Sequence, residues 1–491
     1  MKIIKKSLLV LVVLITLLIL TMVIKTFLVT SKQVKAEPAD NFIVDKNSAA
    51  NHLAGAIKIE TISFEDHSKI KTNNFLNFHK YLGSTYPRAH AVLSKEVINN
   101  YSLLYKWKGT DDNLKPMLLM AHMDVVPANE KTIKEWAYPP FDGKIADGFI
   151  WGRGTLDMKH SLIGIMEAVE GMIHKGFQPK RTIYMAFGHD EELGGKNGNV
   201  KIAELLKSRG VKLEYVIDEG LIIAENMVPG IKNNVALVGI SEKGYMNIEL
   251  TAKGEAGHSA MPPKETTVGI LCNAVARVEK NKCNAKIAGP VKEFLNYCAP
   301  EMSFLYKAIF ANLWITDGLV KSIFANSKTM NALIRTTTAP TMLEGSDKSN
   351  VMPSVAKAVI NFRIVPGDTT DSVLKYVQNT ITDQRVAVKA RDNESRNPSP
   401  VSSVDSKNFA TLQKSIRQIY PDVIVAPSLV VAGTDSRHYS EVCNDIYRFI
   451  PVIMTSKDTP RIHGIDERIG VDNFEKIIRF YMQLIQNSQL I

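Results

Sequence analysis

The sequence predicts an α/β protein built from a mostly parallel sheet domain and a smaller α+β domain inserted into it, behind an apolar N-terminal segment. Three observations predict this. At 491 residues the chain is too long for one typical core. Its first half alternates short apolar runs bounded by polar or turn residues, "PMLLMAH", "RTIYMAF" and "LEYVID", with helical periodicity, as buried parallel strands joined by helices require. After about residue 243 two-residue alternation around two helices takes over, and the first pattern resumes in "VIVAPSLVVAG".

The first element is "MKIIKK", which is basic, followed by "SLLVLVVLITLLILTMVI" (7–24), an uncharged run of about bilayer length. Lys2, Lys5 and Lys6 favour a cytoplasmic N-terminus, although Lys25 weakens the asymmetry. The run exceeds the apolar core of most cleavable signals, and the best cleavage candidate, "VKA" ending at Ala36, lies well downstream. Residues 1–29 therefore read as a transmembrane signal anchor, with a cleaved signal peptide as the alternative. The body would lie across the membrane, or be secreted if the segment is removed.

A polar tether (30–41) leads to the first part of the large domain (42–242), which opens with the helical "AANHLAGAIKI". The helix "SLIGIMEAVEGMIHKG" ends in Lys-Gly, a C-cap signal. The insertion (243–399) reads as strand "YMNIELTAKGEA", helix "TTVGILCNAVARVEKN", extra helical material around 290–330, strand "AKAVINFRIVPG", helix "TTDSVLKYVQNTI" and strand "VAVKA". "RDNESRNPSPVSS" is the return linker, and the second part of the large domain (400–491) closes on the helix "FEKIIRFYMQLIQ".

Composition excludes some classes. The formal charge of +10 is spread over scattered Lys and Arg without a basic block or nucleic-acid motif, so no nucleic-acid partner is expected. Four cysteines, Cys272, Cys283, Cys298 and Cys443, are too few for a disulfide scaffold and lack metal-site spacing. Unpaired buried thiols are the favoured reading, with one bridge among the first three as the alternative. Sequons at Asn100 and Asn393 suit an exported chain.

The chemistry concentrates around "FGHDEELGG", where Asp190, Glu191 and Glu192 stand side by side after an apolar run. Adjacent carboxylates repel, so a positive partner is needed. Other ligand-type residues also sit at the edges of expected elements: His122 and Asp124 in "MAHMDVVP", Asp157 in "WGRGTLDMKH", Asp218 closing the strand in "YVIDEG", and His463 in "RIHGIDERI". In open α/β sheets ligands gather beyond the carboxyl ends of strands. Imidazoles and carboxylates together suit zinc, with cobalt or manganese as alternates. Taken singly, a histidine after a strand is usually a hydrogen-bonded residue, and an aspartate there a helix cap or turn residue.

Eight motifs, in order, resemble the co-catalytic zinc metallopeptidases and aminoacylases: "MAHMDVVP", "WGRGTLDMKH", "GHDEELGG", "VIDEG", "GEAGHSAMPP", "NVMPSVAKAVINFRIVPG", "GTDSRHY" and "RIHGIDERI". "GHDEE", "NFRIVPG", "TDSRHY" and "YRFIP" are most similar to the carboxypeptidase S branch, which also contains secreted enzymes acting on N-fatty-acyl amino acids. The resemblance implies a zinc-exopeptidase-like fold in which the insertion is a lid, and two Zn2+ per chain. His122 and Asp218 would hold one ion, Glu192 and His463 the other, and Asp157 would bridge them. Asp124 would orient His122, and Glu191 would be the general base toward a metal-bridging water.

On the inserted domain the resemblance assigns His258 to the developing oxyanion, Asn350 to substrate positioning and Arg363 to the substrate's free α-carboxylate, a fit of two planar groups. Gly433 and Thr434 would line the substrate backbone. The implied substrate is a short peptide or an N-acyl amino acid with a free carboxylate, and hinge closure would complete the site. Relatives include monomers and homodimers joined through the lid. Two positions depart from the pattern: His160 stands where many relatives have Gly, and Asp466 where they often have Asn. The alternative, a non-catalytic membrane-tethered binding protein, predicts loss of a ligand or of the base, and all are present.

Overall fold

The computed structural model describes residues 2–39, 42–391 and 395–490; the sequon at Asn393 and parts of the tether and return linker lie outside them. An eight-stranded sheet forms the centre, in the order Ser94–Ile98, Ser102–Trp107, Ile183–Gly188, Met117–His122, Val216–Ala224, Ile446–Met454, Val235–Glu242, Ile424–Val430. Met117–His122 runs parallel to both of its neighbours, and the first two strands add an antiparallel edge.

Alternation along each strand explains why these runs are apolar throughout. Met117, Leu119 and Ala121, with Ile183, Met185 and Phe187, face the core covered by the helices Lys46–Ile57, Lys159–His174 and Val471–Asn487. Leu118 and Met120, with Tyr184 and Ala186, face a second core under the helix Asn199–Ser208. A strand covered on both faces cannot afford polar alternation. The Lys-Gly C-cap forms as expected, with Gly176 at φ 73° after the helix ends at His174.

The insertion forms its own antiparallel sheet, ordered Thr337–Glu344, Val355–Ile364, Gly244–Lys253, Val386–Ala390, with the helices Thr267–Lys280 and Thr370–Thr380 on one face. Its apolar cluster, centred on Ile248, Leu250, Ile360 and Phe362, is separate from the two cores of the large sheet. The helices between Pro290 and Ile334 behave differently. Val291, Phe294, Val320 and Phe324 pack into the large sheet's core, not onto the small sheet. The chain enters and leaves the small domain through paired backbone. Tyr245 N–H donates to the Arg396 carbonyl at 2.9 Å, and Arg396 N–H returns to Tyr245 at 2.8 Å. A Cβ on Gly244 would lie 2.5 Å from the Arg396 carbonyl oxygen, so only glycine fits the crossing.

One expected boundary differs. The strand was expected to close at Asp218 but continues to Ala224, because a bulge lets it pass the site: Asp218 pairs with Arg448 and Leu221 with Phe449, leaving Glu219 and Gly220 unpaired. All four cysteines are free, three of them buried. Ile360 is fully buried on the central strand of the small sheet. Replacing it with alanine should therefore cost about 2–5 kcal/mol in urea denaturation; a cost near zero would mean that this face is not packed.

Candidate metal centre and substrate cavity

His122 ends its strand with its ring buried. Nδ1 lies 2.9 Å from the Asp124 carbonyl and 3.4 Å from its carboxylate. This fixes the proton on Nδ1 and leaves the Nε2 lone pair for a cation. Nε2 faces Asp157 Oδ1 at 3.0 Å and Glu219 Oε1 at 3.6 Å. Asp124, fully buried, also takes hydrogen bonds from the backbone N–H of Glu191 and of Glu192, each at 3.2 Å, and from Ser63 Oγ at 2.8 Å. It thus ties the histidine loop to the acidic turn.

Asp157 and His463 sit on loops about 300 residues apart in sequence, joined by the short strand ladder between Phe149–Trp151 and Arg468–Gly470 and by a buried ion pair beside it. Arg153 Nη1 meets Glu467 Oε2 at 2.5 Å, while Glu467 Oε1 accepts the backbone N–H of Gly154, Leu156 and Asp157 at 2.9, 2.7 and 3.2 Å. Arg153 Nη2 reaches the carbonyls of His463 and Gly464 at 3.1 and 3.0 Å. His463 adopts φ 59° and presents Nε2 to Asp157 Oδ2 at 2.9 Å and to Glu192 Oε2 at 3.2 Å. Asp466 has φ 55°, a conformation that Asn and Asp both tolerate, and its carboxylate accepts Ala137 N–H at 2.7 Å. This accounts for the aspartate at that position.

In the acidic turn, Asp190 is buried and accepts Asn197 N–H at 2.8 Å. Glu192 turns toward His463, and Glu191 lines the cavity. Asp218 is not brought to His122. Its carboxylate accepts Ser436 N–H at 2.8 Å, beside Thr434 and Glu242, while the bulge after it aims Glu219 at His122 instead.

The ligand-type atoms fall into two groups, His122 with Asp157 and Glu219, and Asp157 with Glu192 and His463, each with atoms within 4.8 Å of one another and with Asp157 in both. Two imidazoles and three carboxylates fit divalent cations, and Glu192 Oε1 is buried without a hydrogen-bond partner. The electrostatics point the same way. Hydrogen bonds to Asp157 and Glu192 push the His463 imidazole up to about 10. Burial works against a charged His122, yet Glu219, Asp124 and Asp157 hold it well above its ordinary value. Burial, then Asp157, pushes Glu219 well up, and burial, then Asp435, does the same to Glu191. Buried carboxylates this close together call for positive charge beside them.

A cavity of about 540 Å³ adjoins these groups. Asp157, Glu191, Glu192 and Glu219 line it, as do Arg363, Arg396 and Arg437. Arg363 and Arg396 both stack on Tyr245, at 4.7 and 5.1 Å from the ring centroid. Burial, with Arg437 and Arg363 nearby, pulls Arg396 down to about 10. Arg437 donates to the Thr434 and Gly194 carbonyls. Gly433 lines the cavity, where a Cβ would come within 2.7 Å of Arg396 Nη2. Thr434 also lines it, with its hydroxyl donating to buried Glu242 at 2.6 Å; Arg448 meets the same carboxylate at 2.6 Å.

His258 and Asn350 stand outside the cavity lining. Both are exposed, on and beside the short strand pair Gly257–His258 and Val351–Met352. His160 is buried against Ser161, its Nε2 3.1 Å from Oγ, and burial pulls its imidazole down to about 3. Sequence reasoning missed Glu219, Arg396 and the two buried Arg–Glu pairs. Glu219 was legible as the next carboxylate in "VIDEG"; Arg396 carries no motif signal.

The family model described as Peptidase family M20/M25/M40 matches residues 118–487. The chain is 40% identical over 482 residues to probable carboxypeptidase S-like 2 of Dictyostelium discoideum, covering 96% of this chain and 92% of that one. It is 42% identical over 440 residues to N-fatty-acyl-amino acid synthase/hydrolase PM20D1.1 of Danio rerio, covering 89% and 84%. Among solved structures, the M20 family metallo-carboxypeptidase Sso-CP2 from Sulfolobus solfataricus superposes with a TM-score of 0.65 at 16% identity, over 91% of this chain and 100% of that one, a likeness of fold.

The Arg153–Glu467 pair yields a test. Arg153→Met leaves a buried carboxylate without its cation and should cost about 3–5 kcal/mol in urea denaturation. Adding Glu467→Leu should not restore stability, because three backbone N–H groups then lose their acceptor. Full recovery in the double variant would show that the pair is merely tolerated.

Proposed function

The chain belongs to peptidase family M20/M25/M40 and is a hydrolase of that family, and on that premise we propose a metal-dependent amidohydrolase of the carboxypeptidase type. It releases the C-terminal amino acid of a short peptide, or cleaves or forms an N-acyl amino acid. The two activities in its relatives' names, carboxypeptidase and N-fatty-acyl-amino acid synthase/hydrolase, share such a bond. The observation that carries the reading is the polarity of the cavity, with carboxylates and imidazole among its lining and guanidinium groups beside them. An amide whose amine side carries a free carboxylate matches both chemistries.

In this reading two Zn2+ ions, or Co2+ or Mn2+ in their place, are held by His122, Asp157 and Glu219 and by Asp157, Glu192 and His463. Glu219 thus takes the part that the resemblance gave to Asp218, which instead braces the loop at Ser436. Such cations supply Lewis acidity that acidifies water and polarises a carbonyl. Glu191 takes the proton of the attacking water and returns it to the leaving amine. Its burial and its neighbour Asp435 raise its basicity for that task. Asp124 keeps His122 in the ligating tautomer and holds the backbone of Glu191 in place. Arg363, joined by Arg396, clasps the substrate carboxylate bidentately, and Gly433 leaves room for Arg396.

His258 and Asn350 reach the reacting bond only when the small domain moves as a lid, or from the partner copy of a homodimer joined through that domain. The helix Lys2–Leu28 is long and apolar enough to cross a membrane. We assign it the role of anchor, with the catalytic body on the exoplasmic side, or secreted once the segment is cleaved.

Glu191→Gln should retain its metal by elemental analysis and lose about 10²–10⁴-fold in turnover of N-acyl amino acids or peptides with free C-termini; full activity would remove Glu191 from the mechanism. Metal content also separates the neighbouring carboxylates. Glu219→Gln should lower it and Asp218→Asn should not, and the reverse result would return Asp218 to the centre.

A further inference from the structure

The helices Phe304–Ala311 and Leu313–Ala325 form a hairpin bent by 111°. Its inner face is accounted for: Val320 and Phe324 are buried in the large core, and Ile309, Phe310 and Leu313 pack against it. Its outer face should then be polar. Instead Phe304, Leu305, Trp314, Ile315, Leu319 and Ile323 are each 46–68% exposed. A helix pair that is apolar on its solvent side as well as its core side has an uncovered partner surface.

The first helix indicates the partner. Lys2–Leu28 packs against this hairpin through its last turns. Phe27 meets Phe304 with ring centroids 5.9 Å apart, and Lys25 Nζ stands 4.8 Å over the Trp314 ring. At the bend, Asn312 is fully buried, and its amide donates to the Met22 carbonyl at 3.1 Å and to Thr26 Oγ1 at 3.2 Å. The amide oxygen accepts Trp314 Nε1–H at 3.0 Å. The hairpin is therefore pinned at the height where the apolar run of the first helix meets Lys25. For a helix crossing a bilayer, that is the boundary between acyl chains and headgroups, where Trp and Lys collect.

Resting on the reading of the first helix as an anchor, we propose that the Phe304–Ala325 hairpin is embedded in the same membrane, lying in the outer acyl layer beside that helix. Its helices of 8 and 13 residues rise about 12 and 20 Å, too short to span a core of about 30 Å. They lie in the leaflet without crossing it. The enzyme's body is then held against the surface at two points and cannot swivel freely on its tether.

Trp314 reports the outcome, since Trp107, Trp136 and Trp151 are buried. The full chain and its Trp314→Phe variant are reconstituted into phosphatidylcholine vesicles with or without bromine on the acyl chains, and retention is checked by alkaline extraction. The expected result is that the Trp314 emission, the difference between the two proteins, is lost in brominated vesicles and is unaffected by aqueous iodide. If the chain is retained and that difference survives bromination, the proposal is overturned. Quenching by iodide would then mean that the face is wet, and protection from both quenchers that a second copy covers it. A chain released by alkali overturns the anchor reading and this one with it.

Discussion

Gathering Asp157, Glu191, Glu192 and Glu219 around one cavity is electrostatically costly, and much of the surrounding structure exists to hold them there. Burial raises Glu191, Glu192 and Glu219 toward their neutral forms. Left alone, such groups would splay into water or take up protons. They stay together because the backbone beneath them is fixed by other charges. Asp124 grips the N–H groups of Glu191 and Glu192, and Glu467 grips those of Gly154, Leu156 and Asp157. Both carboxylates accept N–H donors, which favour the charged form; Asp124 is held below its ordinary range, while burial still pushes Glu467 up to about 7. Within the cavity, Glu192 Oε1 is left without a donor. An array of that kind binds cations tightly because little reorganisation remains to be done.

Two buried ion pairs extend the same logic to the loops. Arg153–Glu467 joins the Asp157 loop to the His463 loop. Arg448–Glu242 fixes the segment from Thr434 to Ser436, and through Ser436 the carboxylate of Asp218. Buried ion pairs seldom add net stability over apolar replacements. Their value here is positional: the short ladder between Phe149–Trp151 and Arg468–Gly470 brings the Asp157 and His463 loops side by side, and the first ion pair fixes the irregular stretches beyond it. Substituting a partner would leave secondary structure in place and blur the placement of the carboxylates and imidazoles around the cavity.

The strands and helices around the site were legible because burial on both faces makes their sequence apolar without interruption, as in "PMLLMAH" and "RTIYMAF". His122, Asp157, Glu192 and His463 were legible as ligand-type residues at element edges. The strand boundary at Asp218 was misread because the strand was taken to end at the first carboxylate, whereas the chain bulges at Glu219–Gly220 and runs on to Ala224. A bulge depends on pairing with Arg448 and Phe449, more than 200 residues away, and leaves no local periodicity. Arg396 was hidden for a related reason. It lies in an irregular linker, and its meaning comes from Tyr245, the residue it pairs with where the chain enters the small domain.

That crossing links the cavity to the small domain. Arg363 lies on the strand Val355–Ile364, Arg396 on the way out of the insertion and Tyr245 on the way in, and the two guanidinium groups stack on the one ring. Rotation about the paired backbone of Tyr245 and Arg396 would carry Arg363 relative to Glu191, which is fixed to the large sheet through Asp124. An anion bound by Arg363 and Arg396 neutralises two cations that otherwise repel each other, and so favours whichever domain arrangement brings them closest. If a substrate carboxylate is that anion, its binding energy is coupled to domain angle, and an amide lacking the carboxylate would lose closure as well as contact.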